Sequence, residues 1–128
     1  MPNLQFLNPG QLKQYNEQGF VVLENAVDAA DIATLKAAAL EIVDAFDIEQ
    51  NQSVFSTRDR DAGRDDYFFD SAENCHCFLE QDALNENREL STPARLAINK
   101  IGHAMHDLSP AFRYFCKLPV FARSIRKG

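Results

Sequence analysis

The sequence predicts an α+β, helix-rich domain, on three observations. Cap and stop residues bracket segments with apolar side chains at three- and four-residue steps, the pattern of amphipathic helices. Short apolar runs at residues 20–23 and 75–80 read as strands. Strand signals number only two or three in all, too few for a closed barrel.

Residues 1–7 read as a loose arm. Asn8 and Pro9 start the first helix, a capping side chain followed by a proline where no helical N–H is lost. Leu12 and Tyr15 give this helix its apolar face up to Gln18. Gly19 ends it, because a residue without Cβ enters the left-handed region freely. Phe20, Val21, Val22 and Leu23 then read as a buried strand. Asp28 caps a long helix running to residue 47, and Asp31 places negative charge where the helix dipole favours it. Ile32, Leu35, Ala39, Ile42 and Phe46 share one face of that helix, and Ala37, Ala38 and Ala39 favour it intrinsically.

Composition changes at Glu49. Residues 49–66 are polar and mixed in charge, with Val54 and Phe55 as anchors, and predict a long surface loop. Tyr67, Phe68 and Phe69 form a short aromatic anchor ahead of a turn at Asp70 and Ser71. Residues 75–80 suit a strand with Cys75, Cys77 and Leu79 on one side and His76, Phe78 and Glu80 on the other. Residues 85–89 read as a loop. Thr92 and Pro93 open a helical segment whose apolar positions are Leu96, Ile98, Ile101 and Met105. Gly102 inside it costs about 1 kcal/mol against alanine, so close packing against a strand, or a break between two short helices, is expected there. Ser109 and Pro110 start a helix over residues 111–117. Leu118 and Pro119 restart a last turn, and the basic Arg123, Arg126 and Lys127 suit a helix C-terminus.

The chain of 128 residues is 45% hydrophobic and 25% charged, enough for one globular domain. Its net charge of −6 argues against nucleic acid as a partner. No apolar run of about 18 residues exists to span a bilayer, and the N-terminus lacks the basic start and apolar core of a secretory signal. Three cysteines, an odd number without framework spacing, predict a reduced, cytoplasmic chain.

Two stretches carry a resemblance. The first helix, residues 19–27 and the helix opening with Asp28 and Asp31 together resemble the N-terminus of the phytanoyl-CoA dioxygenase family. Asn99, Lys100, Ile101, Gly102, His103, Ala104, Met105 and His106 look like the branch called phytanoyl-CoA dioxygenase domain-containing proteins. The similarity runs roughly from Leu7 to Ile125 and includes Asp66, Tyr67 and Phe68, and Ala122, Arg123 and Ser124. It implies a double-stranded β-helix (jelly-roll) oxygenase that uses Fe(II) and 2-oxoglutarate to hydroxylate a small-molecule substrate. It also makes residues 49–66 a rim or lid element near the barrel mouth. On this reading, residues 1–128 form a single partial domain, the N-terminal helical and edge-strand part, with the barrel largely missing.

Iron in that family sits in a facial triad: a histidine and a carboxylate two residues apart on one strand, and a distant second histidine. Such a set holds one face of the metal and leaves the other open to cosubstrate and oxygen. Here Phe78 stands two residues after His76, Met105 two after His103 and Leu108 two after His106, so the paired ligands are missing. The expectation is no metal ligand, no catalytic residue and no cofactor for this chain alone, with iron and 2-oxoglutarate belonging to the full-length family member. Truncation, frameshift or domain choice would each produce such a portion.

Cys75, His76 and Cys77 are adjacent, whereas zinc sites space their cysteines by about two to four residues; two buried thiols beside a histidine on the other face is the preferred reading. Cys116, next to Lys117, reads as a core thiol. His103 and His106, three apart, would share a helix face. Lys100 and His103 are the cofactor-binding candidates: a point charge for a carboxylate or phosphate, and a ring lining the pocket. In related proteins a lysine just ahead of this motif contributes to cosubstrate binding; a gapless match puts Leu96 there, so that role is not carried over. The first functional expectation is therefore the N-terminal part of an oxygenase, inactive alone. The alternative is a small helical partner-binding module. A third is an unstable remnant whose helices expose faces meant to cover a sheet.

Overall fold

A computed structural model describes residues 7–55 and 65–118. The first helix, α1 (Pro9–Gln18), begins and ends where the sequence predicts. Asn8 Oδ1 accepts from the Gln11 N–H at 2.9 Å and Gln11 Oε1 accepts from the Asn8 N–H at 2.9 Å, so two otherwise unpaired donors are satisfied together. Gly19 closes the helix at φ 80°, its N–H donating to the Tyr15 carbonyl. The apolar face goes uncovered: Leu12 and Tyr15 are each about half exposed and no residue of α1 is buried.

Phe20, Val21, Val22 and Leu23 do not form a strand, contrary to expectation. Phe20 and Val22 face solvent while Val21 and Leu23 are half-buried, so side chains alternate as along a strand but no ladder forms. A strand requires a neighbouring edge to bond its backbone, and among the described residues the only sheet has two strands, both elsewhere. The long helix α2 (Ala29–Asp44) starts on its predicted cap, with Asp28 Oδ1 accepting from the Asp31 N–H at 2.9 Å. It ends at Asp44 rather than residue 47, so Phe46 packs from beyond the helix instead of from its face.

Residues 49–66 are less of a loop than predicted at both described ends. Ser53 accepts from the Leu79 N–H at 2.9 Å and Leu79 accepts from the Phe55 N–H at 3.0 Å, a parallel bridge centred on Val54. At the other end Asp65 caps a short helix, α3 (Asp66–Asp70), which carries the predicted aromatic anchor. Residues 56–64 lie outside the described residues.

The sheet pairs β1 (Cys75–Leu79) antiparallel with β2 (Ile98–His103). In register, Cys75 faces His103, His76 faces Gly102, Cys77 faces Ile101 and Phe78 faces Lys100, with an irregularity before Leu79 meets Ile98. β2 overturns the helix read from Thr92 and Pro93. Only one turn, α4 (Ala94–Ala97), is helical, and Thr92 does not cap it. Ile98 and Ile101, β-branched, gain ladder bonds and cross-strand packing against β1 that an isolated helix lacks. Gly102 is buried within β2, paired with His76, so the helix whose glycine needed explaining is not there.

Two more helices follow, α5 (Met105–Leu108) and α6 (Pro110–Cys116), the second at its predicted place with proline in its first turn. The predicted turn from Pro119 onward lies outside the described residues. Leu79, Ala83 and Ala97 form the buried core, with Phe46, Ile48, Val54, Leu84 and Ile98 packed around it. α2 closes one side against α6, α4 and β1. Arg95 on α4 forms a bidentate pair with Asp44 at 2.8 and 2.5 Å, which holds the Asp44 carboxyl below its usual range.

Candidate functional site

Alternation along β1 puts His76 and Phe78 on one side of the sheet and Cys75, Cys77 and Leu79 on the other. Phe78 has no exposed surface. It lies under a layer of rings: Tyr67 at 5.4 Å, Phe68 at 5.9 Å and Phe55 at 6.3 Å between centroids, all edge-on. The local sequence builds that layer. Asp65 Oδ1 takes the Phe68 N–H at 2.9 Å and so starts the helical turn carrying Tyr67 and Phe68. The Val54 bridge delivers Phe55. Tyr67 donates its hydroxyl to the Cys77 carbonyl at 3.0 Å and stacks flat on His76 at 4.2 Å. Burial pushes the Tyr67 phenol up to about 12, with the neighbouring Cys77 adding to the shift.

Lys100, opposite Phe78 in the register, lays its ammonium over this layer. Nζ is 4.1 Å from the Phe55 centroid and 5.7 Å from those of Phe68 and Phe78. Such contacts are worth about 0.5–2 kcal/mol each, depending on desolvation. Partial burial holds the Lys100 pKa below its ordinary value, yet among the described residues no carboxylate pairs with it. Gly102 leaves room for the stem, since a Cβ there would stand 3.2 Å from Lys100 Cε.

His103, at the end of β2 and paired with Cys75 in the register, turns its ring to the edge of the same aromatic layer. Its ring is 5.6 Å from Phe68 and 6.2 Å from Phe78, and its Nδ1 is 2.7 Å from the Oγ of the fully buried Ser71. Its backbone N–H donates to the carbonyls of Ser71 and Asn74 at 2.8 and 2.9 Å, tying β2 to the turn after α3. Burial lowers the His103 pKa first and the Lys100 charge lowers it further, while a hydrogen bond to the Ser71 backbone works the other way. The fold thus brings Lys100 and His103 onto one aromatic wall, with a cation and an imidazole side by side.

His106 does not join them. His103 ends a strand and His106 sits on α5, exposed and 3.5 Å from Asp107, so the predicted shared helix face does not exist. His76 is taken up by Asp70, Nε2 to Oδ2 at 2.8 Å. Across the sheet, Cys77 is pushed up to about 11 by burial and then by Cys75, and burial raises Cys75 too, so both are thiols at neutral pH. With Ile42, Ala45 and Phe46 they line an open cleft of about 440 Å³ that also reaches Tyr67 and His76 at the strand's edge. Cys116 is exposed, against the expectation of a core thiol.

A facial triad needs two histidines and a carboxylate on one point. The sequence has three histidines, all described, and they are held apart by Asp70, Ser71 and the α5 surface. Among the described residues no three of His, Cys, Asp and Glu converge, and the three histidines as placed do not make a facial triad. Sequence reading had missed Ser71, placed only in a turn, and the use of Phe55 and Phe68 as a platform. The one available signal was the aromatic cluster of Tyr67, Phe68 and Phe69.

Comparison with known proteins gives these residues a context. The family profile described as phytanoyl-CoA dioxygenase (PhyH) matches residues 15–127. The phytanoyl-CoA dioxygenase of Arabidopsis thaliana is 37% identical over 109 residues, covering 85% of this chain and 38% of that protein. The phytanoyl-CoA dioxygenase domain-containing protein 1 of Bos taurus is 34% identical over 127 residues, 93% of this chain and 44% of its own length. The homolog of that protein in Caenorhabditis elegans is 38% identical over 102 residues, 78% of this chain and 35% of its own. The chain spans about two fifths of the length of the curated relatives it matches.

Proposed function

The chain belongs to the phytanoyl-CoA dioxygenase family, and from that premise we propose that it is the N-terminal portion of an Fe(II)- and 2-oxoglutarate-dependent oxygenase, carrying an anion-holding wall but not the metal ligands. The family match over residues 15–127 carries this reading. Lys100 over the aromatic layer supports the first half of it, and the separation of the three histidines supports the second.

In this reading Lys100 meets a carboxylate of the cosubstrate as a point charge. The ring layer beneath it keeps water from one side of the ammonium, which strengthens the pair relative to bulk water. His103 borders the same anion. Bound iron would supply the oxidising chemistry of the whole protein, and its ligands are not these residues. Hydroxylation of a small-molecule substrate belongs to the full-length protein. Three free cysteines accord with a reduced, cytoplasmic setting; among the described residues no helix is long and apolar enough to cross a membrane.

Titration of 2-oxoglutarate into the purified chain, followed by calorimetry, tests the anion wall. Saturable binding that weakens about ten- to a hundredfold in Lys100→Ala is expected, from about 1.5–3 kcal/mol for a hydrogen bond to a charged group. Equal affinity in the wild type and the variant would remove Lys100 from the proposal.

A further inference from the structure

We propose that Ser71 is a positioning residue: it fixes His103 with the proton on Nδ1 and a bare lone pair on Nε2, so that the wall offers one cation and one acceptor. The ligand-binding consequence rests on the reading above, whereas the tautomer does not.

The inference follows from counting hydrogens. Ser71 Oγ lies 2.5 Å from the Phe68 carbonyl oxygen and 2.7 Å from His103 Nδ1. A carbonyl has no hydrogen, so the first contact is a bond only if the serine hydroxyl donates it. That hydroxyl has a single proton. The second contact must then be an Nδ1–H donating to a lone pair of Oγ. Any other assignment presses two lone pairs together at one of the two distances, beside a serine with no exposed surface. A neutral imidazole protonated at Nδ1 leaves Nε2, on the far edge of the ring, as an acceptor.

The surroundings hold the ring in that state. The backbone N–H of His103 donates to the Ser71 carbonyl at 2.8 Å, so main chain and side chain are clamped to the same residue. Phe68 meets the ring edge-on at 5.6 Å. Lys100, the charged group on this wall, opposes a second positive charge on the imidazole. A carboxylate held at Lys100 therefore meets Nε2 through a water that donates to it, in preference to a carboxylate oxygen set directly against that lone pair.

Two-bond proton–nitrogen correlation spectra of chain labelled with ¹⁵N-histidine, recorded above the His103 titration, read the tautomer directly. His103→Gln identifies the ring's signals by their loss. The expected pattern is a pyrrole-type Nδ1 and a pyridine-type Nε2; the reverse pattern overturns the proposal. In Ser71→Ala the pyridine-type nitrogen should move to Nδ1, because an imidazole without this acceptor prefers its proton on Nε2. Retention of Nδ1–H in a folded Ser71→Ala would overturn the role given to Ser71. If that variant fails to fold, the wild-type spectrum decides alone. Failure of 2-oxoglutarate to bind would leave these spectra unchanged, so the two readings fail separately.

Discussion

Replacing Phe78 by alanine tests the physical basis of the wall. The side chain has no exposed surface and packs edge-on against Tyr67, Phe68 and Phe55. Truncation of a buried phenylalanine costs about 3–5 kcal/mol, the transfer term plus the cavity left behind. The rings above Phe78 are only half-buried and can sink into the gap, which places this site in the lower half, about 3–4 kcal/mol. With a urea dependence of roughly 1–3 kcal/mol per M, the unfolding midpoint should fall by about 1–4 M. Phe78→Leu keeps the site apolar and loses chiefly the ring edges, so its cost should be about 1–2 kcal/mol. Urea denaturation followed by circular dichroism gives both numbers. A loss below about 1 kcal/mol in Phe78→Ala would mean that the ring layer is not packed on Phe78, and Lys100 and His103 would then have no common platform.

Gly102→Ala should cost at most about 1 kcal/mol in the same assay, since the atom its Cβ meets at 3.2 Å is the far end of the flexible Lys100 side chain; the larger effect should be weaker 2-oxoglutarate binding as Lys100 is pushed off its rings. His103 has a folded-state pKa below its unfolded value, so the unfolded chain binds more protons between the two. Its contribution to stability is therefore complete above about 6.5 and is lost as pH falls through the folded value. Unfolding midpoints collected from pH 7.5 down to 5 should decline less in His103→Gln than in the wild type; parallel curves would contradict the assigned direction.

Local signals were legible and non-local ones were not. Asn8, Gln11 and Gly19 define α1 through contacts within a few residues, and Asp28 does the same for the start of α2. The alternation of residues 75–79 reads as a strand because its two sides differ in company even before any partner is known. β2 was not legible: Leu96, Ile98, Ile101 and Met105 fit a helical spacing, and only the ladder to β1 decides for extended chain. The reverse error befell residues 20–23, which have strand composition but no edge to pair with among the described residues. Lys100 and His103 stood out by their motif, yet what unites them is a wall made by Phe55, Phe68 and Phe78 from three separate stretches. Ser71 carried no sequence signal, since a serine after an aspartate is what any turn contains.

Oxygen-dependent formation of succinate, measured with the purified chain, Fe(II) and 2-oxoglutarate, tests the central claim most directly. Three histidines held apart by separate partners predict no succinate above a protein-free control, even where 2-oxoglutarate binds at Lys100. Sustained turnover that a chelator abolishes would mean that this polypeptide gathers an iron site of its own, and would contradict the account.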